Sequence, residues 1–376
     1  MSTDIVEGAV DIDTSSGVTF PGSVLSKLNS TAWEAWSFTG TGARQPFAST
    51  DKPAAITIKF VRDATHLDIT AKALRVELDG IWADGQRLQT VIHAEMSTVE
   101  TCEQDGLSIT KGRWIGPHAN CWFEFKNEIG NEKERAEVEV RIRGVSFTGD
   151  RVEGTFKFDP DSENIARHQR FSDREGRRMG SYRAPMVESV GFDGILAEQI
   201  KAKVQVNDKT LKMKGIGGAE KRAALSTWDV PVCHWWSVRG VAGPYSFHLS
   251  KFVATKSEEA YVRAYLEENG QSVFSSTRQC ESNHDTDCAL FTFQTTGLVS
   301  GNYDDSSTGF MIVYRSKDRS WEFDVDHANI MAESSLGHSD QSIQFVDRVY
   351  GGEVACMSPK RYFGAAMSEQ HGIIRV

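Results

Sequence analysis

The sequence predicts an all-β protein with two domains, each a barrel or sandwich of antiparallel strands. Apolar and polar residues alternate with a period of two in many segments. Turn-forming residues separate these segments, and the first half lacks any long stretch with a helical apolar period. A chain of 376 residues can form two domains with a core each. Two successive all-β halves without helical crossovers predict two barrels or sandwiches lying side by side.

The first half begins with residues 1–32, which are rich in Ser and Thr and which we expect to be an arm lying across the surface. After this arm, Ile, Val, Leu and Phe alternate with charged residues and Thr. The alternating segments are residues 56–60, 76–79, 138–143, 145–147 and 154–158. The last two flank a Thr148-Gly149-Asp150 turn. We expect half-buried antiparallel strands joined by tight turns.

Residues 159–183 break this alternation. Asp159-Pro160-Asp161-Ser162 opens a polar stretch that carries Arg167, Arg170, Arg174, Arg177, Arg178 and Arg183. We interpret the stretch as a solvated linker, and an anion-binding patch is the alternative. The sequence therefore places the first domain at residues 33–183, with the linker at about 159–183, and the second domain at residues 184–376.

The second half returns to strand patterns. Residues 310–314 form a continuous apolar run, and residues 321–325 alternate. Residues 257–268 are ambiguous, because a Ser cap and good helix formers favour a helix while the surrounding segments favour a strand; we predict a strand. The following Asn269-Gly270 fits either a helix C-cap or a hairpin turn.

Charge and composition exclude several classes of function. The net charge of −10 argues against nucleic acid or an anionic membrane as the main partner. No apolar run reaches the roughly 20 residues of a membrane-spanning helix. The N-terminus lacks the basic and apolar regions of a signal peptide. We therefore expect a cytoplasmic protein, either a monomer or a homodimer.

Common catalytic motifs are absent from the sequence, including the Gly-x-Ser-x-Gly elbow, the phosphate-binding loop and the His-Glu-x-x-His zinc motif. Cys280, His284 and Cys288 are zinc-type ligands, but a closed zinc site needs a fourth ligand. A local disulfide between Cys280 and Cys288 is the alternative. We expect no metal and no cofactor.

The densest aromatic segment is Cys233–His248, which contains two Trp, one Tyr, one Phe, one Arg and two His. Gly240 and Gly243-Pro244 interrupt it, which predicts a bend or bulge between two strands. Large, stiff aromatic side chains line pockets for flat or polyunsaturated ligands, and they also fill ordinary cores. Both interpretations remain open for this segment.

A second aromatic cluster lies at Trp33–Phe38. A period of two places Glu34 and Trp36 on one face of a strand and Trp33 on the other. Glu34 could orient a substrate by hydrogen bonding, or it could be paired with one of the many arginines.

These residues resemble landmarks of the carotenoid 1,2-hydratase-like two-domain proteins, and more narrowly of the fungal lipocalin-like Diels–Alderases. The landmarks are Trp33-Glu34-x-Trp36, Trp228, Arg239-Gly240-x-x-Gly243-Pro244-Tyr245-Ser246-Phe247, Gly351-Gly352 and Ala365–Gln370. The resemblance covers about residues 30–371.

The resemblance implies two antiparallel lipocalin-like β-barrel domains with a ligand pocket between them. It also implies a pericyclase that catalyses a cofactor-free [4+2] cycloaddition of a polyketide or terpenoid substrate. The implied polar site residues are Glu34, Tyr182, Arg239 and Arg348. The implied aromatic walls are Trp36, Trp228, Trp236, Tyr245 and Phe247. If Trp36 lines the pocket, Trp36→Ala should reduce activity far more than stability.

Two departures from the family pattern bear on the reaction. Phe38-Thr39 stands where the family often has Phe-Asp, which slightly favours an intermolecular hetero-Diels–Alder coupling over an intramolecular decalin-type cyclisation. Residues 217–222 lack the His-Asp pair that hydratases carry before the residue matching Trp228. The alternatives are a non-catalytic protein that binds a hydrophobic metabolite, and a hydratase or isomerase of a polyene or terpenoid.

Overall fold

A computed structural model of the chain describes residues 33–42, 53–63, 73–128, 137–158, 182–184, 187–224, 232–254, 260–269, 271–280, 286–300, 307–335, 340–354 and 360–373. The expected arm at residues 1–32 and nearly all of the expected linker at 159–183 lie outside these residues. The described residues form two antiparallel β-sheets, as the alternation predicts.

The first sheet has twelve strands. They are β1 Trp33–Thr41, β2 Ala55–Asp63, β3 Leu74–Ile81, β4 Arg87–His93, β5 Met96–Gln104, β6 Leu107–Gly116, β7 Ala119–Glu128, β8 Glu137–Val145, β9 Arg151–Phe158, β10 Tyr182–Ala184, β11 Val187–Val206 and β12 Lys209–Ala224. Their order across the sheet is β4-β3-β2-β1-β12-β11-β9-β8-β7-β6-β5, with β10 paired to β11.

The two edges of this sheet meet at the corner between β4 and β5. Ala94 N donates to Leu74 O at 3.0 Å, and Glu95 N donates to Ile115 O at 2.9 Å. Ala94 and Glu95 thus join the two edge strands along the chain, and the sheet curls into a nearly closed barrel. Its interior is filled by apolar residues at alternate strand positions, such as Val138 and Val140 on β8.

The second sheet has nine strands. They are β13 Val232–Ala242, β14 Tyr245–Ala254, β15 Ala260–Glu268, β16 Gln271–Ser276, β17 Cys288–Gln294, β18 Gly309–Arg315, β19 Ser320–Ser335, β20 Asp340–Glu353 and β21 Tyr362–Ile373. Their order is β16-β15-β14-β13-β21-β20-β19-β18-β17. The segment after β16 returns to the far edge, where Cys280 N donates to Ala289 O at 3.0 Å and Cys280 is disulfide-bonded to Cys288.

The sequence predicts a boundary between the domains at residues 183 and 184, whereas β10, β11 and β12 all pair within the first sheet. β11 pairs with β9 through Ile200 and Phe158, and β12 pairs with β1 through Trp36 and Lys221. Residues 159–181 therefore connect two strands of the same sheet. The chain passes from one sheet to the other between Ala224 and Val232.

Two ambiguous segments of the second half are resolved by the structure. Residues 260–268 form β15, so the predicted strand is confirmed, and Asn269 follows it with a φ of 50° at the start of a hairpin turn. Gly240 is not a bend or bulge, since β13 pairs regularly there with β14. A Cβ at Gly240 would lie 2.5 Å from Phe247 Cζ, so glycine is needed for the Phe247 ring to pack on the strand. Gly243 has a φ of 57° in the β13–β14 turn, which favours glycine.

The two barrels contact each other through one face of each sheet. Ala55 and Ile81 of the first sheet pack with Met331 and Val346 of the second. Beside this small apolar cluster, Gln89 Nε2 donates to the Glu333 carbonyl at 3.2 Å. None of the residues described forms a helix long and apolar enough to cross a membrane.

Candidate functional site

A cleft of about 420 Å³ lies between the two sheets. Strands β1, β2 and β12 form one wall, and β13, β20 and β21 form the other. Its lining residues are Ser37, Thr39, Thr57, Lys59, Glu220, Arg222, Ser237, Arg239, Gln344, Met367, Ser368 and Glu369. A second cleft of about 290 Å³ adjoins it and shares Thr39, Arg239 and Met367 with it.

The period of two explains which side chains reach the cleft. On β1, Trp36 and Phe38 point into the first barrel, so Ser37 and Thr39 point outward toward the second sheet. On β13, Trp236 and Val238 fill the second barrel, so Ser237 and Arg239 face the first sheet. The cleft is therefore lined by the polar outer positions of both barrels.

A chain of alternating charges crosses the cleft. Arg239 Nη2 lies 2.9 Å from Glu220 Oε2, and the other oxygen of Glu220 contacts Arg222 Nη2. Arg222 Nη1 in turn lies 3.1 Å from Glu369 Oε2, and Lys59 Nζ lies 3.6 Å from Glu369 Oε1. The chain joins β2 and β12 of the first sheet to β13 and β21 of the second.

Burial and neighbouring charges set the protonation of this chain. Burial alone would raise the pKa of Glu369, but Lys59 and Arg222 outweigh burial and lower that pKa to about 2. Burial lowers the pKa of Arg239, and Glu220 opposes this effect. The three cations and two carboxylates of the lining leave one positive charge in excess. The cleft consequently favours a ligand with carbonyl or anionic oxygens.

Several buried polar atoms at the cleft have no hydrogen-bond partner within the described part of the chain. They include Thr57 Oγ1, Gln344 Oε1, Ser368 Oγ and Arg239 Nε. Thr57 is 2% exposed, Ser368 3% and Gln344 7%. A buried polar group without a partner costs roughly 1–3 kcal/mol, so these atoms are available to hydrogen-bond a molecule bound in the cleft.

A neutral histidine lies behind this lining. His248 Nε2 is 3.2 Å from Ser237 Oγ and 3.1 Å from Ser250 Oγ. Burial, followed by the positive charges of Arg239, Arg263 and Arg222, holds the pKa of His248 well below its usual value. His248 can therefore orient the Ser237 hydroxyl without adding charge to the cleft.

Comparison with known proteins identifies the family. Residues 2–373 match the model of the family described as Diels-Alderase-like. The chain belongs to the Diels-Alderase-like family.

Curated relatives and a solved structure agree with this assignment. Diels-Alderase ffsF of Aspergillus flavipes is 27% identical over 348 residues, which cover 91% of this chain and 77% of the relative. Hexane cyclase gkaB of Penicillium citrinum is 25% identical over 355 residues, which cover 91% of this chain and 75% of the relative. The crystal structure of CghA with Sch210972 has a TM-score of 0.71 at 20% identity, covering 93% of this chain and 90% of CghA. This likeness supports the two-barrel fold.

Of the polar residues implied by the family resemblance, the structure places Arg239 in the cleft, where its Nη1 donates to Thr39 Oγ1 at 3.3 Å. Arg348 is partly buried on β20 and is not among the lining residues. Glu34 is fully buried in the first barrel, with Arg62 Nη1 at 2.9 Å and Lys221 Nζ at 3.6 Å. This geometry agrees with the arginine-paired interpretation of Glu34. Only the backbone of Tyr182 is described.

The aromatic residues do not form walls between the domains of this Diels-Alderase-like chain. Trp36 lies in the first core, with its ring centroid 5.6 Å from that of Trp114. Trp236, Tyr245 and Phe247 belong to the second core. Each of these four side chains points into its own barrel, and none is among the residues that line the two clefts. Trp228 lies outside the described residues.

Sequence reasoning missed several residues of the cleft. Trp235, rather than Trp236, faces the first sheet, with Arg222 Cζ 4.1 Å from its ring centroid. Lys59 and Glu220 had no motif to mark them, although Lys59 stood at a predicted outward position. Cys280 and Cys288 are bonded to each other, as in the disulfide alternative, so their sulfur atoms are not available as zinc ligands in this structure.

Proposed function

We propose that this chain catalyses a cofactor-independent [4+2] cycloaddition of a natural-product small molecule in the cleft between its barrels. The observation that carries this proposal is the set of buried, unpartnered polar atoms around Arg239, contributed by both sheets. The names of the relatives, Diels-Alderase ffsF and hexane cyclase gkaB, support a cyclisation as the reaction class.

The main task of such a site is to hold the diene against the dienophile. A cycloaddition exchanges two π bonds for two σ bonds and needs neither a nucleophile nor a proton transfer. Binding both reacting ends in a near-attack geometry can lower the barrier by roughly 7–11 kcal/mol in favourable cases. A cleft bounded by two rigid sheets suits this task, since its walls are fixed by strand pairing.

The second contribution is electrostatic. A carbonyl group that activates the dienophile gains negative charge in the transition state. The guanidinium of Arg239 and the hydroxyls of Thr57 and Ser368 can donate hydrogen bonds to it. In a buried site one well-placed donor contributes about 3 kcal/mol to transition-state stabilisation. The single excess positive charge of the lining also stabilises the negative charge that develops on this carbonyl.

The proposal is tested by mass spectrometry with purified protein. The substrate source is an extract of a producing strain that lacks this gene and accumulates the polyene precursor. An intramolecular cycloaddition gives a product of unchanged mass and altered retention time. An intermolecular coupling gives a product whose mass is the sum of two precursors. Arg239→Met should reduce either product at least tenfold, because the variant keeps side-chain length but loses the donor.

Arg319→Met is the matched control, since Arg319 is also paired with a carboxylate, Glu353 at 2.6 Å, but lies away from the cleft. It should leave product formation unchanged. A precursor that co-purifies with the protein and returns unaltered would identify a binding protein instead. A product heavier by one water would identify a hydratase.

A further inference from the structure

We infer that one end of the second barrel is a separate ligand site, formed by Trp236, Lys251, Phe293 and Gln370, which takes a planar conjugated carboxylate. We call these four residues the lysine–aromatic site. They point into the second barrel, whereas Ser237 and Arg239 on the neighbouring positions of β13 face the cleft. The site is thus separated from the cleft by the thickness of the sheet.

Lys251 places a positive charge beside two aromatic rings. Its Nζ lies 5.8 Å from the ring centroid of Trp236 and 5.7 Å from that of Phe293. Within the described residues, no carboxylate forms an ion pair with it, and burial lowers the pKa of its ammonium group. Lys59 and Lys221, by contrast, each have a glutamate partner. A bound carboxylate would give Lys251 the partner that the protein does not supply.

The aromatic rings near Lys251 present flat faces. The His234 and Trp236 rings are stacked, with centroids 5.7 Å apart and an interplanar angle of 16°. The Trp236 and Phe293 centroids are 5.1 Å apart. Phe293 is 36% exposed whereas Trp236 is 8% exposed, so solvent reaches this group of rings at Phe293. Flat ring faces beside a cation favour a ligand that is itself flat and carries an anionic group.

A buried hydrogen-bond acceptor, Gln370 Oε1, belongs to the strand that pairs with β13 at Trp236. Gln370 is 1% exposed and lies opposite Trp236 on β21. Its Nε2 donates to Ser307 Oγ at 2.8 Å and lies 3.4 Å from His327 Nε2, while its Oε1 has no partner among the described residues. A hydroxyl group on the ligand would satisfy this oxygen. The site therefore combines a cation, flat apolar faces and a hydrogen-bond acceptor.

The test is a fluorescence titration of the full chain with cis-parinaric acid, a conjugated tetraene carboxylate. We expect saturable binding of one probe per chain, with energy transfer from tryptophan. Lys251→Met should raise the Kd at least tenfold, whereas Lys251→Arg should keep it within threefold because the charge is retained. The methyl ester of the probe should bind wild-type protein and Lys251→Met equally.

Lys157→Met is the matched control, because it removes a half-exposed lysine that pairs with Glu139 on the first barrel and should leave the Kd unchanged. The inference is overturned if the probe does not saturate, or if Lys251→Met binds it as tightly as the wild type. It is also overturned if Lys157→Met weakens binding as much as Lys251→Met, since the loss would then not depend on this site. Product formation by the cleft is measured separately, so either proposal can fail alone.

Discussion

Arg239 on β13 and Glu220 on β12 form an ion pair across the junction of the two barrels, with Nη2 2.9 Å from Oε2. Both side chains are largely buried. The barrels are therefore held together at the cleft by buried charges, and elsewhere by the apolar cluster around Met331 and Val346. Because buried charges need their partners, the cleft and the junction depend on the same residues.

Glu369→Gln should destabilise the protein, because it leaves Lys59 and Arg222 with less negative charge beside them. We expect a loss of about 3–5 kcal/mol in the free energy of unfolding at pH 7. The pKa of Glu369 is about 2 in the folded state, below its ordinary value of 4.5. Its stabilising contribution is therefore complete above pH 4.5 and is lost as the pH falls toward 2.

Urea unfolding of the wild type and the variant at pH 7 and pH 3 measures this effect. The difference in the free energy of unfolding between the wild type and the variant should be smaller at pH 3 than at pH 7. Glu139→Gln is the control, since Glu139 pairs with Arg141 and Lys157 on the outer face of β8, and it should cost less than about 1 kcal/mol. Equal losses in the two variants would contradict a buried role for Glu369.

Asp79→Asn should stabilise the protein at alkaline pH. Burial raises the pKa of Asp79 to about 7, although Lys59 opposes the shift. Because this value lies above the ordinary value of 3.8, the folded state binds a proton more tightly than the unfolded state does. Stability therefore falls as the pH rises from about 4 to about 7. The asparagine side chain does not titrate, so the variant lacks this fall in stability.

Unfolding curves at pH 4 and pH 8 check the prediction for Asp79. The variant should exceed the wild type by at most about 4 kcal/mol at pH 8, which is the full equivalent of the pKa shift. At pH 4 the two proteins should have nearly the same stability. A constant difference across this range would show that the carboxyl does not titrate with folding.

Trp36→Ala should reduce stability as well as activity, which reverses the expectation drawn from the sequence. Trp36 is fully buried among Trp114 and Phe123, with centroid distances of 5.6 and 5.5 Å. Removing a buried Trp from such a core costs about 3–5 kcal/mol. The midpoint of thermal or urea unfolding measures this cost. Trp122→Ala, at a partly buried outer position, should cost less than half as much.

The disulfide between Cys280 and Cys288 should appear in the intact mass of protein purified without reductant. Reduction should add the mass of two hydrogens and lower the free energy of unfolding by about 2–3 kcal/mol, as expected for a short closed loop. Cys280→Ser should match the reduced protein. If reduction leaves both mass and stability unchanged, the cysteines are not bonded in solution.

The strands could be predicted from sequence because alternation is a local property. It identified segments such as residues 138–143 and, against helix propensity, residues 260–268. The domain boundary could not be predicted in this way, because a polar insertion between paired strands resembles an interdomain linker. Trp235 and Trp236 are adjacent, so one of them faces the core in either orientation of the strand. The partner strands decide which one it is.

The candidate site was harder to predict because it depends on long-range pairing. Arg239 was singled out within a motif, and it does line the cleft. Glu220 and Arg222 reach the cleft only because β12 lies beside β1, far from it in sequence. Lys59 and Glu369 meet there from opposite halves of the chain. Alternation alone does not show which strands pair, so it cannot predict contacts between residues that are distant in sequence.

The point at which the chain changes sheets also determines the order of events during synthesis. Every strand of the first barrel precedes Ala224, and every strand of the second follows it. The ribosome therefore releases all the strands of one barrel before it makes any strand of the other, and domains generally fold as units in this order. Until β13 and β21 emerge, Glu220 lacks its partner Arg239 and Arg222 lacks its partner Glu369, so the nascent first barrel presents these charges to solvent. A charged, hydrated face of this kind is less prone to associate with neighbouring nascent chains than an exposed apolar face is.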